Sequence, residues 1–93
     1  MIEDWRDEID GVDERILSLL NERATLSSRI IRLKSARSLP YYSPRREEEI
    51  LRSLTRGNPG PLGSDSVEKI FRTIIEESKA LAAGRQKHGR EKP

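Results

Sequence analysis

The hydrophobic positions in the first third of the chain recur every three or four residues. They are Ile2, Trp5, Ile9, Val12, Ile16, Leu19, Leu20, Leu26, Ile30 and Leu33. This spacing puts them on one face of an α-helix, and no proline interrupts the pattern. We therefore predict one helix over residues 3–36, about 50 Å long at about 1.5 Å per residue. Because a compact chain of 93 residues cannot enclose so long a helix, we expect it to pack against other helices, including a second copy of itself.

Two shorter helices are predicted after this one. Pro40 and Pro44 place a loop between residues 39 and 44, since proline lacks a backbone donor and restricts the residue before it. Ser43 is a favourable N-cap, and Pro44 suits the first position of the second helix. The glycines and prolines of residues 57–61 end that helix.

The third helix is expected to begin with Ser64 or Asp65 as its cap and to end near Gly84. Its apolar face carries Val67, Ile70, Phe71, Ile74, Ile75 and Leu81. No segment has the alternation of a β-strand. The sequence thus predicts an all-α protein with one helical domain over residues 1–84 and a basic, disordered tail over residues 85–93.

Composition and charge exclude several classes of protein. The net charge is +2, but residues 85–93 hold four bases and one acid, so the rest of the chain is close to neutral and does not favour nucleic-acid binding. The acidic N-terminus differs from a signal peptide, and no run approaches the roughly 20 apolar residues of a membrane span. A cytoplasmic location is therefore expected. Without cysteine and with His88 as the only histidine, the chain predicts no metal site and no thiol chemistry.

Two cations interrupt the apolar face of the long helix. Arg23 and Lys34 are 11 residues apart, which puts them within about 20° of the same direction and roughly 16 Å apart along the axis. Two inward cations favour an anionic ligand. The alternative is that each pairs with a carboxylate of residues 47–49 or extends outward to solvent.

Arg6 is the only base among the seven acids of residues 1–14, whereas residues 15–37 carry six bases and one acid. An antiparallel copy of the helix would set the acidic half beside the basic half. Arg6 is about 25 Å from Arg23 along the helix, so it cannot reach that site within its own chain. In an antiparallel dimer it could, and this predicts a site shared between two chains.

Several segments of the chain, taken together in their order and spacing, form a pattern that includes Arg6, Arg23 and Lys34. They are Trp5-Arg6-Asp7-Glu8-Ile9-Asp10 with Asp13, Ile16 to Arg23, Ile31-Arg32-Leu33-Lys34, Pro40, Arg46-Glu47 and Ile70 to Ser78. Together they resemble the all-helical (type II) chorismate mutase family over residues 5–82. The resemblance implies an intertwined homodimer of three-helix chains with two active sites, each taking an arginine from the other chain.

The activity implied by this resemblance is the Claisen rearrangement of chorismate to prephenate, in phenylalanine and tyrosine biosynthesis. No cofactor or metal is implied. Arg6 of the partner subunit and Arg23 resemble the residues that hold the substrate carboxylates, and Lys34 the lysine that contacts a carboxylate and the ether oxygen. Glu47 matches the acid that accepts a hydrogen bond from the ring hydroxyl, with Arg46 beside it.

Three further positions of the implied site are Ser78, Ser43 and Ala82. Ser78 matches a serine near the polar edge of the substrate, although a serine inside a helix can instead bond to its own chain. Ser43 stands where many members have aspartate. Ala82 stands where the family usually has glutamine or glutamate, whose side chain forms a hydrogen bond with the ether oxygen. We therefore expect a weak mutase or a relative with altered chemistry.

Two alternatives remain open at this stage. One is an enzyme like isochorismate pyruvate lyase, which keeps the cationic site, although the lyases lack the pair formed by Arg46 and Glu47. The other is a non-catalytic helical module that binds chorismate or prephenate, or that regulates another shikimate-pathway enzyme. Ala82 favours this module, whereas the presence of Arg6, Arg23, Lys34 and Glu47 favours catalysis.

Overall fold

The computed structural model describes residues 1–40 and 43–84, which form three α-helices. These are α1 (Ile2–Ala36), α2 (Pro44–Arg56) and α3 (Ser64–Ala82), and the described residues contain no strand. The prediction of three helices is confirmed, and α1 begins one residue earlier than expected. The predicted tail over residues 85–93 lies outside the described residues.

The end of α1 is closed by backbone hydrogen bonds. The amide of Leu39 donates to the carbonyl of Lys34 at 2.7 Å, and the amide of Ser38 donates to that of Ser35 at 3.0 Å. This pair of bonds is the Schellman arrangement, in which the residue after the C-cap is left-handed and is usually glycine. Here that residue is Ser38, with φ of 57°. The turn therefore carries a strained position beside the loop that leads to α2.

Replacing Ser38 with glycine is expected to raise the free energy of unfolding by about 0.5–1 kcal/mol, because glycine adopts a positive φ without a steric penalty. Urea unfolding followed by circular dichroism would measure the change. Ser35→Gly is the matched control, since Ser35 lies inside α1, where replacing serine with glycine is expected to lower stability by about 0.5 kcal/mol. Equal losses in both variants would contradict this account of the turn.

The starts of α2 and α3 differ. Ser43 caps α2 as predicted, because its side chain accepts from the backbone amide of Arg46 at 3.1 Å and Pro44 follows. The prediction that Ser64 or Asp65 caps α3 is wrong: Gly63 is the N-cap, and no side-chain cap bond forms. Since Ser64 and Asp65 already lie inside the first turn, Asp65 instead places a negative charge near the positive end of the helix dipole.

Helix α3 contacts both of the other helices and carries most of the core. The buried apolar side chains of the described residues are Leu51, Val67 and Ile75. The apolar face of α1, in contrast, is largely exposed, with Trp5 at 56% and Ile30 at 56%. The three helices form a flat body of 55 × 41 × 17 Å. Among residues 1–40 and 43–84, no helix is long and apolar enough to cross a membrane.

Candidate functional site

A cavity of about 490 Å³ lies where the second half of α1, the start of α2 and the end of α3 converge. Its wall combines apolar and charged side chains: Arg23, Leu26, Ser27, Ile30, Ile31, Lys34, Ser43, Arg46, Glu47, Ile50, Ile75 and Lys79. The volume falls within the range of small-molecule sites, about 300–1,000 Å³. Five of the eight residues predicted for the site from sequence therefore line one cavity.

The two cations of α1 enter this cavity from the same face of the helix. Arg23 donates from Nη1 to Oγ of Ser78 at 3.0 Å. Within residues 1–40 and 43–84, neither Arg23 nor Lys34 forms an ion pair. The alternative that they pair with a carboxylate of residues 47–49 is therefore not found in this part of the chain. Two uncompensated cations in a cavity of this size can bind a small anion with two negative groups.

Ser78 is buried, with 4% of its surface exposed, and its hydroxyl accepts from Arg23 rather than lining the cavity. The bond connects α3 to α1 across 55 residues of sequence. A hydrogen bond of this kind restricts the rotamers of a long side chain and so fixes where its other donors point. Ser78 thus orients the Arg23 guanidinium at the cavity wall.

The first turn of α2 contributes Ser43, Arg46 and Glu47. Glu47 is 18% exposed, and its Oε2 lies 2.9 Å from Nζ of Lys79. Arg46 is 69% exposed, and its Nη1 lies 3.7 Å from Oε1 of Glu49. Since the hydroxyl of Ser43 already accepts from the Arg46 amide, Ser43 holds the helix start that presents the other two side chains.

Lys79 also lines the cavity, although the sequence pattern did not predict it there. Its side chain is 15% exposed and lies 3.0 Å from Oε2 of Glu76 as well as 2.9 Å from Glu47. Burial lowers the pKa of Lys79, but hydrogen bonds and charges from Glu47 and Glu76 together raise it above 10.5. The ion pair is thus intact at neutral pH and is lost only as the pH rises above that value. The sequence feature that could have indicated Lys79 is its position one turn after Ile75, which puts a cation on the buried face of α3.

Within the single chain, neither Arg6 nor Ala82 lines the cavity. Arg6 is 70% exposed, and its Nη1 lies 3.7 Å from Oε2 of Glu3 near the other end of α1. Ala82 is the last residue of α3. Among the described residues, no group of three acidic or histidine side chains is arranged to hold a metal ion.

The fold and this cavity define an all-helical protein with a mainly cationic cavity between its helices. The described wall has Arg23, Lys34, Arg46 and Lys79 as cations and Glu47 as its acid. Such a wall can restrain an anionic ligand and stabilise negative charge that develops on it.

The chain belongs to the chorismate mutase type II family, whose sequence model matches residues 5–83. It is similar to the chorismate mutase of Thermus thermophilus, solved in two forms. Form I is 44% identical with a TM-score of 0.81, covering 83% of this chain and 96% of that one. Form II is 41% identical with a TM-score of 0.87, covering 92% of this chain and 98% of that one.

Curated relatives of similar identity are longer proteins. The bifunctional chorismate mutase/prephenate dehydratase of Aquifex aeolicus is 40% identical over 84 residues, which is 86% of this chain and 23% of the relative. The bifunctional chorismate mutase/prephenate dehydratase of Neisseria gonorrhoeae is 41% identical over 76 residues, which is 82% of this chain and 20% of the relative. The chain thus spans about a fifth of the length of these relatives.

Proposed function

We propose that this chain is a chorismate mutase that converts chorismate to prephenate by binding the dianion in the cavity between its helices. The observation that carries the proposal is the presence of two cations without carboxylate partners in the described residues, Arg23 and Lys34, on the wall that also holds Glu47. Membership of the family and the similarity to Thermus chorismate mutase support the same reaction.

The rearrangement is intramolecular: the ether C–O bond breaks as a new C–C bond forms between the two ends of the same molecule. The protein therefore supplies no nucleophile and no net proton transfer. Its contribution is to hold the two reacting carbons in contact and to place positive charge where the ether oxygen becomes more negative. Fixed cations suit this task because they are already oriented before the bond breaks.

Four charged residues of the cavity wall have a part in this mechanism. Arg23, oriented by Ser78, binds one substrate carboxylate. Lys34 binds a carboxylate and donates to the ether oxygen, where its charge is worth more in the transition state than in the ground state. Glu47 accepts from the ring hydroxyl, and Arg46 lies beside it at the open side of the cavity.

A homodimer is part of the proposal. The radius of gyration is 16.0 Å, whereas a compact domain of this length has about 12 Å, and the apolar face of α1 is exposed along its length. A second, antiparallel α1 would cover that face and bring Arg6 of the partner subunit to the cavity. The bifunctional relatives also support an association with an enzyme that consumes prephenate. A cytoplasmic location remains a prediction.

The test is an assay of chorismate consumption by the purified protein, with the product identified by chromatography. Prephenate is expected. Binding of chorismate without turnover would contradict the proposal and select the non-catalytic module. Release of pyruvate from isochorismate, without prephenate from chorismate, would select the lyase.

Ala82→Gln is expected to raise kcat by about tenfold or more. Ala82 itself does not line the cavity, but it follows the wall residue Lys79 by one turn of α3, so a longer amide side chain would add a donor toward the ether oxygen as the bond breaks. Steady-state kinetics of the variant and the wild type would measure the gain. Ala83→Gln is the matched control: it adds the same side chain at the C-cap of α3, one residue further round the helix. An equal effect of both variants would contradict a specific role of position 82.

A further inference from the structure

Among the described charged residues of the cavity wall, Lys79 is the one without a part in the proposed mechanism. It lies one turn before the end of α3 and is mostly buried, so its ammonium is held in the wall rather than in solvent. Two carboxylates lie within ion-pair distance of it: Glu47 in the cavity, and Glu76, which is 62% exposed on the outer side of the same helix.

The arrangement matters because of the charge on Glu47. A carboxylate at the wall of a site for a dianion repels the ligand, and the partial burial of Glu47 weakens the screening of that repulsion by solvent. An ammonium 2.9 Å from Glu47 Oε2 compensates this charge. A carboxylate has about four acceptor positions on its two oxygens, so the ion pair leaves Glu47 able to accept from a substrate hydroxyl.

The ion pair also fixes geometry. Glu47 comes from α2 and Lys79 from α3, so the bond joins the two helices at the cavity wall. A glutamate side chain in solvent samples several rotamers. One that is paired with a partly buried ammonium keeps a single orientation before the substrate arrives.

We propose that Lys79 is a positioning residue of the active site, which orients the Glu47 carboxylate and cancels its repulsion of a dianionic substrate. The inference rests on the proposed function, since it concerns the binding of chorismate at the same cavity. Its consequence is that Glu47 is tolerated beside a dianion only while Lys79 is present.

The experiment measures KM and kcat for chorismate in a set of variants. Lys79→Met keeps the length of the side chain and removes its charge, and we expect KM to rise by about tenfold. Lys79→Arg keeps the charge and is expected to stay within about threefold of the wild-type KM. Lys69→Met is the matched control: it removes the same charge from an exposed position on α3, and its KM should stay within about twofold.

The decisive variant is the double change Lys79→Met with Glu47→Gln. If Lys79 cancels the charge of Glu47, removing that charge lowers the raised KM by about threefold or more, even though kcat stays low. A purely structural role predicts no such recovery. An unchanged KM in Lys79→Met would overturn the inference, and so would a KM that stays high in the double variant.

Circular dichroism and the melting temperature of each variant show whether it folds. If Lys79→Met does not fold, Lys79→Gln replaces it, both alone and together with Glu47→Gln, and the same recovery of KM is expected in the double variant. A wild-type protein without mutase activity would refute the proposed function. An active wild type with an insensitive Lys79 would refute this inference alone.

Discussion

Lys34→Ala is expected to lower kcat by about 10²–10³-fold while the protein remains folded. Lys34 lies on the cavity wall, without a carboxylate partner in the described part of the chain. Its removal should therefore leave no buried charge unpaired, and the folded state should tolerate the change. The loss should appear mainly in kcat, because the charge on the ether oxygen grows between ground state and transition state.

Steady-state kinetics with chorismate would measure this loss, and circular dichroism would verify folding. The matched control is Lys69→Ala, which removes a lysine from an exposed position on α3 outside the cavity. Its kcat should stay close to that of the wild type. A Lys34→Ala variant that loses affinity for chorismate but retains its kcat would show that Lys34 binds the ground state and the transition state equally well, and would contradict the prediction.

The fold could be predicted from the sequence to within a few residues, because its helices are defined by local signals. The three-and-four spacing located α1, and Ser43 with Pro44 located the start of α2. The cap of α3 was predicted wrongly because residues 63–65 offer three acceptable N-caps in a row. Which of them is used depends on where the preceding turn directs the chain, and short-range preference does not determine that direction.

Part of the candidate site could be predicted from charges that interrupt an apolar helix face. This signal identified Arg23 and Lys34, and the structure places both on one cavity. Lys79 carries the same signal on α3, but only the packing of α3 against α2 reveals that it meets Glu47. The contact of Arg23 with Ser78 is likewise set by packing between helices far apart in sequence.

Arg6 poses a different problem, because no single chain can bring it to the cavity. It lies 17 residues before Arg23 on a continuous helix, which is about 25 Å along the axis. If Arg6 of the partner subunit completes the site, Arg6→Ala and Arg23→Ala should each lose activity by about 10²-fold or more. Arg23→Ala should also destabilise the fold by about 1–3 kcal/mol, since it leaves the buried Ser78 hydroxyl without its donor.

Mixing the two inactive variants should restore activity. In a heterodimer, one site receives both substitutions and the other receives neither, so one of its two sites is intact. Random reassociation of equal amounts makes half of the dimers heterodimers, and the expected activity is about a quarter of the wild-type value.

The chains would be unfolded and refolded together, with each variant refolded alone as the control. Distinct affinity tags on the two variants would allow the heterodimer to be isolated and counted. If heterodimers form but remain as inactive as their parents, Arg6 does not act across the interface. Full activity of Arg6→Ala alone would exclude it from the site altogether.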